Sequence, residues 1–172
     1  MDIASEIAKE HSKRTTLKVA DYVGVNANRF KVLVEVFLGG PYRISQRASW
    51  PLTICVERHP HLIKPHLSKL LKFLEKPNIH DGVKRNLLRL LQFIEIPKRY
   101  HSTLINLCFD YLQDKNEPVA IKVFAMSTFA TLTADYPDLQ RELRIVLEDQ
   151  LPYGSPGFRS RAMKVLKLIE RS

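Results

Sequence analysis

Apolar positions recur at helical spacing along nearly the whole chain, most regularly from Val83 to Gln113. Val83, Leu87, Leu90, Leu91 and Ile94 form one stripe, and Leu104, Ile105, Cys108, Tyr111 and Leu112 a second. This spacing puts side chains on one face of a 3.6-residue helix. Pro97 has no N–H and pushes the residue before it out of the α region, which predicts that the first helix ends at about Ile96. The stretch therefore reads as two helices joined by a turn.

The same pattern extends in both directions. Residues 2–23 read as one helix with a break near Arg14–Thr16, closed by Gly24, a residue free to adopt positive φ at a C-cap. Asn26 or Asn28 is placed to cap the next helix, with stripe Phe30, Leu33, Val34, Phe37 and Leu38, and Gly39-Gly40-Pro41 ends it. A helix starting near Ser45 carries Ala48, Leu52, Cys55 and Val56 and contains Pro51, which should bend it. After His59-Pro60, residues 61–76 carry Ile63, Leu67, Leu70, Leu71 and Leu74, and Asp81 is placed to cap the helix that follows.

Beyond Gln113, Pro118 opens a helix with Val119, Val123, Met126, Phe129 or Ala130, and Leu132. Tyr136-Pro137 ends it. Leu139, Leu143, Val146, Leu147 and Leu151 mark the next helix, and Phe158, Ala162, Val165, Leu166 and Ile169 the last. No segment sustains a two-residue alternation. The expected fold class is all-α, with about nine helices.

The helix pairs repeat. Pro60, Pro97 and Pro137 end successive first helices, at separations of 37 and 40 residues. Leu67, Leu70, Leu71 and Leu74 map onto Leu104, Leu107, Cys108 and Tyr111, then onto Leu143, Val146, Leu147 and Gln150, at shifts of 37 and 39. A fixed period with two helices per unit is the signature of an α-solenoid. On these residues, with Pro51 as a mid-helix proline, the chain resembles the HEAT family and, more loosely, the armadillo family.

The resemblance implies a right-handed α–α superhelix and a single domain over 1–172. Residues 2–40 would be a divergent N-terminal cap pair, 42–78, 81–114 and 117–152 repeats, and 157–172 a C-terminal helix. The family's Asp-then-Arg/Lys ladder is represented by Asp138 with Arg141 or Arg144, and the later units lack a mid-helix proline. The resemblance also implies a binding scaffold whose second helices line the binding face.

Charge adds a preference for partners. The formal charge is +9, from 27 Lys and Arg against 18 Asp and Glu. Such an excess favours acidic partners. Arg47, Arg85, Lys122 and Arg159 recur at separations of 38, 37 and 37, each near the start of a first helix. If the repeats stack, they form a ladder with neighbours about 10 Å apart, thickened by Arg43, Lys84, Arg89 and Arg161. Cations there oppose the helix dipole, so pairing with acids such as Glu57, Asp81, Glu117 or Glu148 is expected to absorb them. A second basic set, Lys64, Lys69, Lys72, Lys76, Lys98, Arg99, Arg141 and Arg144, lies off the apolar stripes of the second helices.

The expected function is non-catalytic binding, with another protein as partner along the second helices. The alternative is nucleic-acid binding through a basic face, for which Tyr100 and Phe73 are the nearby aromatics. It follows a remote resemblance to the HEAT-like DNA-alkylation-repair proteins, although Trp50 stands without a matching acid site. End-to-end pairing of two copies is open to a short solenoid.

Catalytic motifs are absent: there is no phosphate-cradling glycine loop, H-E-x-x-H or G-x-S-x-G. His59, His61 and His66 surround a proline-bounded turn too loosely to read as a metal site. No cofactor is expected. Cys55 and Cys108 lie on apolar faces and read as small buried hydrophobes in a reducing compartment. The acidic first residues are unlike a signal peptide and no apolar run is long enough to span a bilayer. The expected location is the cytoplasm, with no membrane partner.

Overall fold

A computed structural model describes residues 1–171. They form ten α-helices and no strand, and the chain divides after Ile94 into two compact units. The division falls between the two helices of 81–114.

The first unit holds α1 (Ile3–Lys9), α2 (Lys13–Val23), α3 (Ala27–Gly39), α4 (Tyr42–Arg58), α5 (Leu67–Leu74) and α6 (Asp81–Leu90). α4 is its centre, packed against α1, α2, α3 and α6. Val19, Phe30, Leu33, Leu52, Val56 and Leu87 are among the side chains fully removed from water around it. Pro51 lies inside α4 and offers no N–H to the carbonyl four residues back. Hydroxyls bond locally on either side of it: Ser49 Oγ donates to the Gln46 carbonyl at 2.6 Å and Thr53 Oγ1 to the Ser49 carbonyl at 2.8 Å.

Several boundaries differ from the sequence reading, each for a local reason. Residues 2–23 are two helices rather than one, which raises the count from nine to ten. The break is at Glu10–Ser12, because Ser12 Oγ accepts the Thr15 N–H at 3.1 Å and starts α2. α4 begins at Tyr42, before Ser45, whose hydroxyl instead donates to the Gly40 carbonyl. Residues Pro60–His66 are 3₁₀, not α: Pro65 lacks the N–H that an α-helix would direct to the His61 carbonyl, whereas Pro60 stands at the first position, where no donor is needed. His80, not Asp81, caps α6: its Nδ1 accepts the Gly82 N–H at 3.1 Å while its ring stacks on Tyr42. α6 ends at Leu90, well before Ile96. A 3₁₀ turn over Leu91–Phe93 follows, and the chain is extended by Ile94.

The second unit holds α7 (His101–Gln113), α8 (Val119–Leu132), α9 (Pro137–Gln150) and α10 (Pro156–Ile169). α8 packs on all three others. Its burial is correspondingly broad. Ile121, Ala125, Met126, Phe129 and Ala130 are inside, whereas Val119 is exposed and Val123 only half-buried. Of the expected stripe, Met126, Phe129, Ala130 and Leu132 are buried while Val119 and Val123 are not, and burial spreads to Ile121 and Ala125 because a helix covered on several sides has no single apolar face. Gly154 closes the turn before α10. A Cβ there would lie 2.6 Å from Phe158 Cδ1 and 3.2 Å from the Gln150 carbonyl.

Candidate binding face

The first-helix cations do not share one environment, and the two most committed ones use backbone oxygens rather than acids. Arg47 Nη1 donates to the Ala8 carbonyl at 2.8 Å and approaches that of Ile7 at 3.4 Å. Both carbonyls belong to the last turn of α1. Lys122 Nζ donates to the Leu112 carbonyl in the last turn of α7 at 3.2 Å, and to Gln150 Oε1 at 3.3 Å. Arg29, which the sequence reading passed over, does the same on α2: its Nη1 donates to the Tyr22 carbonyl at 2.8 Å and its guanidinium lies over the Tyr22 ring.

The last four carbonyls of a helix lack intrahelical donors and carry the negative end of its dipole. A cation from another helix satisfies both. These side chains therefore cap helix ends. The expected pairing with Glu57, Asp81, Glu117 or Glu148 does not supply these contacts. Burial holds the Lys122 ammonium below its ordinary pKa, with Asp114 and Glu117 acting against that shift.

The rest of the ladder varies. Arg85 is half-buried and meets Asn86 Oδ1 at 3.5 Å. Arg161 Nη1 donates to Ser127 Oγ at 2.9 Å, tying α10 to α8. Asn86 Nδ2 reaches Ser49 Oγ at 2.7 Å and ties α6 to α4 in the same manner. Arg43, Arg89 and Arg159 are exposed, and among the described residues no carboxylate lies within 4 Å of them.

Of the second-helix set, only Arg141 and Arg144 meet carboxylates among the described residues. Arg141 pairs with Asp138 at 3.5 Å within α9, and Arg144 with Glu148 at 2.8 Å and with Glu170 of α10 at 3.4 Å. Lys98 and Arg99 lie in a 3₁₀ turn ahead of α7, with Arg99 over the Tyr100 ring. Lys64 sits in the 3₁₀ segment before α5, and Lys69 and Lys72 on α5 itself. All three are exposed, with no carboxylate within 4 Å among the described residues.

Lys31 on α3 joins them. It and Lys69 both act on His66, whose ring rests near Phe30 at 5.6 Å. Burial lowers the His66 pKa first; Lys69 and Lys31 lower it further and Glu35 opposes them. The sequence reading missed Lys31, yet a signal existed. Lys31 precedes Lys69 by 38 residues, the repeat period. The charge differs between the two units. Up to Ile94 there are 16 Lys and Arg against 8 Asp and Glu; from Glu95 onward there are 11 against 10.

A family model described as a HEAT repeat domain matches residues 3–169. The chain belongs to the HEAT repeat family. No curated protein and no solved structure matches it. HEAT repeat domains typically act as protein-interaction scaffolds and are usually non-catalytic. Among the described residues of this HEAT repeat domain, no three His, Cys, Asp or Glu side chains converge to hold a metal ion. No described helix is long and apolar enough to cross a membrane. The two cysteines are buried and unpaired with each other.

Proposed function

We propose that this HEAT repeat domain is a non-catalytic scaffold that binds another protein along its second helices, and that in the first unit the bound segment is acidic. One juxtaposition carries the reading: Lys31 of α3 and Lys69 of α5, a repeat period apart, both act on His66. Arg47 and Lys122 of the first helices are occupied by helix-end carbonyls. Lys31, Lys64, Lys69 and Lys72 of the second-helix side stay exposed and without a carboxylate partner among the described residues. Exposed like charges on one side raise the local potential and draw in an opposite charge. The aromatic rings that a nucleic-acid reading would use are engaged by the chain's own cations. Lys76 Nζ sits 5.3 Å from the Phe73 ring centre and Arg99 Cζ 4.8 Å from that of Tyr100, which works against base stacking.

The test is fluorescence anisotropy at two salt concentrations with a labelled glutamate-rich peptide, duplex DNA, single-stranded DNA and RNA. The peptide should bind, weaken with salt, and lose about tenfold or more in affinity when Lys64, Lys69 and Lys72 are all changed to Glu. The control Arg43→Glu/Arg89→Glu should change little. Tighter, steeply salt-dependent binding of a nucleic acid would replace this reading with the nucleic-acid one. Binding of none of the probes would remove the acidic-segment and the nucleic-acid readings.

A further inference from the structure

The second unit contains a cleft of about 730 Å³ bounded by the α7–α8 turn, the C-terminal end of α9 and the start of α10. Three apolar side chains stand in water around it: Val119 at 39% exposure, Ile145 at 61% and Tyr153 at 91%. Exposed apolar groups gathered at a concavity, with an aromatic among them, have the make-up of a binding hot spot. The volume is that of an ordinary ligand pocket.

Its charges are balanced. Lys115 and Lys122 line it together with Glu117 and Asp149. A polyanion entering here would bring its charges against Glu117 and Asp149, unlike on the exposed lysines of the first unit. Lys122 is 8% exposed and is clamped to two neutral acceptors, the Leu112 carbonyl and Gln150 Oε1. An ammonium has three N–H donors, so one remains for a further oxygen. That donor and the apolar rim describe a short stretch of polypeptide: an uncharged side chain for the rim and a main-chain carbonyl for the ammonium.

We propose that this cleft seats an uncharged, extended segment of a partner protein, with an apolar side chain among Val119, Ile145 and Tyr153 and a main-chain carbonyl facing Lys122. The proposal rests on the scaffold reading and assigns the second unit a specificity different from that of the first.

A display library of random short peptides, selected against the full chain, tests it. Each enriched peptide is then measured on Ile145→Asp, on Tyr153→Ala, and on the triple Lys64→Glu/Lys69→Glu/Lys72→Glu variant. Both single changes are at exposed positions, and circular dichroism confirms that the variants fold. The expected result is a class of uncharged peptides with an apolar anchor that lose about tenfold in affinity on Ile145→Asp and are indifferent to the triple variant. Uncharged enriched peptides that bind Ile145→Asp as well as the parent overturn the proposal. If every enriched peptide is acidic and fails only on the triple variant, the cleft proposal falls and the scaffold reading stands. If no peptide is enriched, both fall.

Discussion

Lys122 Nζ and Gln150 Nε2 converge on one oxygen, the Leu112 carbonyl, at 3.2 and 2.8 Å. Gln150 Oε1 also accepts from Lys122, so the three groups close a small ring that joins α7, α8 and α9. Lys122→Met keeps the aliphatic stem and removes the donor. It should lower unfolding free energy by about 1–2 kcal/mol, because a charged donor is lost while relief of ammonium burial offsets part of it. Urea denaturation of Lys122→Met, Gln150→Leu and the double variant should give a coupling of at least about 0.5 kcal/mol. Additive losses would mean that the ring is not a unit.

The alkaline limit of stability should be set by buried thiols. Burial pushes Cys108 up to about 12 from 9.0, and Cys55 likewise to about 12. Above pH 9 the unfolded chain loses thiol protons that the folded chain keeps. Stability is therefore full below pH 9 and falls as pH rises toward 12, each thiol adding up to about 1.4 kcal/mol per pH unit to the slope. Burial raises Tyr111 as well, in the same sense. Urea midpoints from pH 8 to 10.5 should fall, and Cys108→Ala, although less stable at pH 8, should show a shallower decline. An unchanged slope would place the titration elsewhere.

Acid should loosen the N-terminal helices first. Glu6 accepts from Lys18 at 2.5 Å and from Lys9 at 2.7 Å, and these two bonds, that to Lys18 foremost, pull its pKa down to about 2 from 4.5. Its contribution is complete above pH 4.5 and is lost as pH falls toward 2. Amide exchange in α1 and α2 should accelerate over that window in the parent chain. In Glu6→Gln the same amides should already exchange faster at neutral pH and show a flatter pH dependence.

Gly154→Ala should lower stability by about 1–3 kcal/mol. The backbone at this position has ordinary negative φ, so the effect is steric: the new methyl meets Phe158 and the Gln150 carbonyl. Thermal unfolding checks the direction. The same substitution should weaken any peptide held beside Tyr153, since it displaces that wall of the cleft.

The sequence by itself determined the helical class, the apolar faces and the repeat. Leu67, Leu70, Leu71 and Leu74 are all buried, as are Leu104, Cys108 and Tyr111 one period later. These follow from spacing alone, because a 3.6-residue period leaves few other ways to bury such side chains. Prolines punctuated the chain legibly at His59-Pro60 and Tyr136-Pro137. Helix ends set by a single side-chain bond, at Ser12 or His80, were less so, since several nearby residues could serve as caps.

Only the tertiary structure decided what each cation does. Arg47 and Lys69 look alike in the sequence: both are basic, periodic and off the apolar stripe. Arg47 ends on a carbonyl 39 residues away, whereas Lys69 meets no carboxylate among the described residues. A backbone carbonyl has no residue-type signature, so a cation that caps a distant helix cannot be told from a free one by spacing. Packing, which brings a helix end beside one cation and leaves water beside another, makes the distinction.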